Sequence, residues 1–123
     1  MTHLTQEINL LKRHGLWYNI LGDKMIKVYT NKDEVKVEGH AIPDICAAVS
    51  SAMYITANNL LDLQLLGIDN GKYTIEDNLE DDYMLIKIEK HTKITDVLMN
   101  TLKHGLQDIA DDSSGLVEII KES

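Results

Sequence analysis

One cysteine, one proline and no phenylalanine occur in the 123 residues. A single thiol excludes a disulfide within the chain, and with it the disulfide frameworks of small secreted domains. Aromatic residues make up only 5%, so Ile, Leu, Val, Ala and Met must fill the core. Positive charge is also scarce: 12 Lys and Arg stand against 20 Asp and Glu, a formal charge of −8. The basic stripe that neutralises phosphates is missing, which argues against direct nucleic-acid binding. Nor does any apolar run reach the ~20 residues that cross a bilayer. Polar residues are spread throughout residues 1–11, unlike a signal peptide. The expected setting is soluble and cytoplasmic, with no membrane contact. His3, His14, His91 and His104 lack ligand spacing, and the acidic run 76–82 lacks the glycine of a calcium loop. Neither a metal nor a cofactor is expected.

What is present suits one globular domain with a hydrophobic share of 44%. Residues 1–24 form a distinct opening, taken as an N-terminal extension. Thr5 can cap a short helix with Leu4, Ile8 and Leu11 on one face, and Gly15 stops it. Leu16, Trp17, Ile20 and Leu21 then cluster. The extension is expected to be a docking segment, or the product of an upstream start with Met25 as the natural first residue.

From Met25 onward the pattern sharpens. Residues 25–30 are strand formers, Asn31, Lys32 and Asp33 a turn, and 34–40 alternate with Val35 and Val37 on one side. After Asp44, a good N-cap, the period turns helical through Ile45, Val49, Ala52, Met53, Leu60 and Leu63, until Gly67. Residues 72–76 and 83–89 predict a second hairpin. Thr92 or Thr95 caps a second helix carrying Ile94, Val97, Leu98, Leu102, Leu106 and Ile109. Residues 116–120 predict a last strand. The order β-β-α-β-β-α-β predicts an α+β sandwich, two helices on one face of a mostly antiparallel sheet.

The chemistry gathers in residues 39–50. Cys46 falls near a helix start, where backbone amides favour a thiolate. Taken alone, such a cysteine is more often a small buried hydrophobe. His40 lies just across the connecting loop and can act as its base; its ordinary role is a strand-end hydrogen bond. Free amides near Cys46 and Ala47 can hold an oxyanion. Asp44 disfavours a thiolate nearby, or orients His40 if it turns that way. Ser50, one helical turn on, lines the same face or bonds a backbone carbonyl.

The run Gly39-His40-Ala41, followed by Asp44-Ile45-Cys46-Ala47-Ala48-Val49-Ser50, resembles the ribosomal-processing cysteine protease (Prp) family. The resemblance covers residues 25–123. It implies a small α+β cysteine endopeptidase, usually a homodimer, that cuts an N-terminal extension from a large-subunit ribosomal protein precursor or a phage relative of that substrate. By position, Cys46 is the implied nucleophile, His40 the base, and Ser50 the family serine. Asp44 matches the family aspartate approximately. Many members carry a longer, Gly-rich loop between histidine and cysteine; here residues 41–45 alone separate them. A short loop also fits a peptide-binding module that does not cut.

Overall fold

The computed structural model describes residues 25–78 and 80–122. The expected extension at 1–24 lies outside them. Seven elements follow one another: β1 (Ile26–Thr30), β2 (Glu34–Gly39), α1 (Pro43–Leu66), β3 (Lys72–Asn78), β4 (Tyr83–Lys90), α2 (Lys93–Asp112) and β5 (Val117–Lys121). This is the predicted order.

Local chemistry places the boundaries. Asn31 Oδ1 accepts from the N–H groups of Asp33 and Glu34, both at 2.9 Å, and folds the β1–β2 turn. Gly67 ends α1 in the left-handed conformation at φ 65. Its N–H donates to the Gln64 carbonyl, and that of Ile68 to the Leu63 carbonyl. Together these form a Schellman stop. Thr92 and Thr95 cap α2 reciprocally in a capping box.

The five strands form one sheet in the order β3-β4-β2-β1-β5. β1 and β5 are parallel, and the other pairs are antiparallel. Period-2 alternation sends Ile26, Val28, Val35, Val37, Met84, Ile86 and Ile88 to one face. Val49, Met53 and Leu60 of α1, with Met99, Leu102 and Leu106 of α2, complete the same core. Each such side chain contributes about 1.5–3 kcal/mol on full burial. On the other face Lys36 Nζ lies 4.5 Å from the centre of the Tyr29 ring, a cation–π contact.

Because β4 runs antiparallel to β2, Glu38 pairs with Tyr83. That register brings the start of β4 and the end of β3 to the edge where β2 ends and α1 begins.

Candidate active site

Gly39 closes β2 with φ +101, and a Cβ there would fall 2.2 Å from the Met25 carbonyl oxygen. Only glycine allows both the conformation and the approach. Beyond it His40 is exposed, Ala41 is buried, and Pro43 opens α1.

Cys46 is half-buried on the first turns of α1. Its Sγ lies 3.8 Å from His40 Nδ1. Ala41 holds it more closely: the Ala41 N–H donates to Sγ at 3.2 Å, and the thiol donates to the Ala41 carbonyl at 3.2 Å. A cavity of about 220 Å³ opens beside the pair. Val37, Val49, Met53 and Met84 give it apolar walls, and Ser50, Tyr54, Asp77 and Asp82 its polar lining. Tyr54 donates its phenol proton to Asp77 Oδ2 at 2.5 Å, joining α1 to the end of β3. That hydrogen bond, with burial second, raises the Tyr54 pKa above 10.0, so the phenol stays protonated.

Two expectations at the helix start change. The predicted N-cap was Asp44, but the N-cap is Ile42, with no side-chain cap bond. Pro43 takes the first helical position, where its fixed φ fits and its missing N–H costs nothing. Cys46 therefore sits deeper in the helix. Its N–H donates to the Ile42 carbonyl at 3.0 Å, and that of Ile45 to the same oxygen at 3.1 Å. Only amides up to the third helical position lack an intrahelical acceptor. The amides of Cys46 and Ala47 thus belong to the helical ladder, and the free first-turn N–H is that of Asp44.

The second change concerns the carboxylate beside His40. Asp44 is exposed in the first turn of α1, and the cavity lining excludes it. Instead Asp82 Oδ2 stands 4.0 Å from His40 Nδ1. In sequence Asp82 is only the last residue of the acidic run 76–82, between the strands of the second hairpin. Only the β2–β4 register brings it close, and no local pattern reports that register. Among the described residues no three His, Cys, Asp or Glu side chains converge to hold a metal ion.

Fold and site define a small α+β protein with a thiol and an imidazole close together beside an apolar cavity. The chain belongs to the family described as cysteine protease Prp, whose model matches residues 25–118. No curated protein matches it. Among solved structures it is similar to an essential ribosomal processing protease Prp from S. aureus in complex with a covalently linked product peptide. That match has a TM-score of 0.67 at 17% identity, over 80% of this chain and 100% of the other. The S. aureus protease in complex with a substrate peptide gives 0.62 at 16%, over 80% and 98%. A protein from Streptococcus mutans gives 0.56 at 20%, over 80% and 97%. Identities this low carry the fold and no residue's role.

Proposed function

We propose that the chain is a cysteine endopeptidase that removes an N-terminal extension from a large-subunit ribosomal protein precursor, or from a phage relative of that precursor. Cys46 is its nucleophile and His40 its base and then its acid. The observation that carries this reading is the 3.8 Å separation of Cys46 Sγ and His40 Nδ1 beside an apolar cavity. Family membership supports the reaction. The S. aureus relatives, described as a ribosomal processing protease with substrate and product peptides, support the substrate class. Asp77 and Asp82 at the cavity, in a chain of formal charge −8, suit a basic substrate.

The thiol proton leaves the Ala41 carbonyl and passes to His40 Nδ1. The thiolate, still receiving the Ala41 N–H, attacks the scissile carbonyl carbon. The C–N bond breaks as His40 returns the proton to the leaving amine, and a thioester remains on Cys46. Water, losing a proton to His40, adds to the thioester, and the acid leaves as the thiolate is regenerated. The enzyme works as a cytoplasmic homodimer, and light scattering tests the dimer.

One observation favours a second reading, a peptide-binding module that does not cut: Cys46 Sγ lies closer to the Ala41 carbonyl, at 3.2 Å, than to His40 Nδ1, at 3.8 Å. A single experiment separates the two. The protein and its Cys46→Ala variant are incubated with a panel of ribosomal precursor peptides, and products are followed by mass. Cleavage by the unaltered chain alone supports the protease. Peptide binding without cleavage, by both proteins across the panel, supports the binding module.

A further inference from the structure

The turn between β3 and β4 places an aspartate in the left-handed region beside the cavity. Asp82 has φ 49, and among the described non-glycine residues only Ser114 shares a positive value. The left-handed region costs a residue with a Cβ roughly 1 kcal/mol or more. Glycine holds such a turn at least cost, and aspartate is among the few other residues that adopt it. Its backbone is anchored, since the Asp82 carbonyl accepts the Gly39 N–H at 3.0 Å. The residue fixed to Asp82 is therefore the one immediately before His40. The side chain then brings Oδ2 to 4.0 Å from His40 Nδ1, which lies 3.8 Å from Cys46 Sγ. The other acids nearby have their own partners: Asp77 accepts from Tyr54 and Asp81 from Asn78 Nδ2 at 2.9 Å.

We propose that Asp82 is a positioning residue for His40, holding the imidazole between thiol and carboxylate and stabilising the imidazolium formed when Cys46 ionises. The proposal rests on the reading of Cys46 and His40 as a reactive pair. One ring nitrogen faces two partners and can serve only one at a time. In the resting protein Sγ lies nearer the Ala41 carbonyl, at 3.2 Å, than Nδ1, at 3.8 Å, and the Asp82 carboxylate stands 4.0 Å from the same nitrogen. When the proton moves from Sγ to the ring, the pair becomes thiolate and imidazolium, and the Asp82 carboxylate stabilises the new positive charge. No atom leaves Asp82. The side chains of His40 and Asp82 are 57% and 53% exposed, so water screens the pair. An exposed pair is worth at most about 1 kcal/mol, or about fivefold in rate. Asp82 thus tunes the site and does not make or break it.

Asp82→Gly and Asp82→Asn test this in the full chain. Glycine keeps the left-handed turn, relieves its strain and removes the carboxylate, so the melting temperature is expected to hold or rise. Asparagine keeps the shape and removes the charge. Alkylation of Cys46 by iodoacetamide at neutral pH reports thiolate formation without any substrate. It is expected to slow by about fivefold in both variants, with partial rescue in Asp82→Glu. In a His40→Ala background, Asp82→Asn is expected to have no further effect. On a peptide that the unaltered chain cuts, kcat falls by the same factor and KM holds. Unchanged alkylation in both variants overturns the proposal, as does an equal slowing with and without His40. Failure to cut any peptide bears on the protease reading alone, because alkylation still reports the Asp82–His40–Cys46 coupling.

Discussion

Cys46 and Ala41 are bound to each other twice, with the sulfur accepting the Ala41 N–H and donating to the Ala41 carbonyl, both at 3.2 Å. The thiol is thus placed by backbone before any side chain acts on it. Ionisation gives up one of these bonds and keeps the other. His40, at 3.8 Å and largely exposed, does not hold the thiol in place; in the proposed reaction it receives the proton. His40→Ala is therefore expected to fold with an unchanged melting temperature. Its kcat on a cleavable peptide should fall by about 10²-fold or more, with KM nearly constant. A loss confined to KM would assign His40 to peptide binding instead.

Gly39→Ala attacks the site through the backbone. The added methyl group would lie 2.2 Å from the Met25 carbonyl oxygen, and φ +101 is strained for any residue with a Cβ. Relief requires β1 and β2 to part where Ile26 faces Gly39. The expected loss of stability is about 1–3 kcal/mol from the backbone strain, and more if the strands shift. Urea denaturation measures it. A midpoint equal to that of the unaltered chain would show that the strand end gives way freely.

Much of the fold was legible because its signals are local. Val35 and Val37 alternate with Lys36 and Glu38, Gly67 stops α1, and Thr92 caps α2. Nearness of Cys46 to His40 also followed, since a strand end and a helix start allow few paths. The capping state of the helix start did not follow. Asp44 has the better capping chemistry, yet Pro43 fits the first helical position and moves the boundary toward Ile42. That shift returns the amides of Cys46 and Ala47 to the helix. Asp82 was hidden for another reason, as its approach to His40 depends on the pairing of Glu38 with Tyr83. Such pairing is a long-range choice that no window of sequence contains.

At the opposite end, the α2 cap is a compact test of structure without chemistry. Thr92 Oγ1 accepts from the Thr95 N–H at 3.2 Å and donates to Asp69 Oδ2 at 2.8 Å. Asp69 Oδ2 also accepts the Gly71 N–H at 2.9 Å, so one carboxylate ties the segment before β3 to the start of α2. Thr92→Ala removes the cap and that tie. It is expected to cost about 1 kcal/mol, and up to about 2. Peptide cleavage below the melting range should be unchanged, because the cap follows the end of β4 while the cavity residues Tyr83 and Met84 lie at its start. Measured together, melting temperature and initial rate should separate.

His91 predicts a stability that depends on pH in a defined direction. Its Nδ1 lies 2.7 Å from Asp96 Oδ1 and its Nε2 2.7 Å from Asp33 Oδ1, linking the first turn of α2 to the β1–β2 turn. Carboxylates only accept, so both contacts are best made by the doubly protonated ring. The hydrogen bond to Asp96, then that to Asp33, raises the His91 pKa above 6.5 against an opposing effect of burial. A folded-state value above the unfolded one means that the ring takes up its proton more readily in the folded chain. The stabilisation is complete below the unfolded value of about 6.5 and is lost as pH rises through the higher folded value. Lys32 and Lys103 border the same hollow, but the carboxylates at bonding distance decide the sign. The urea midpoint of the unaltered chain should therefore exceed that of His91→Gln at pH 5.5, and the gap should narrow toward pH 9. Added salt should also narrow the low-pH gap, because both carboxylates are about half exposed. A gap that stays constant across the pH range would mean that the ring is held by packing and not by its charge.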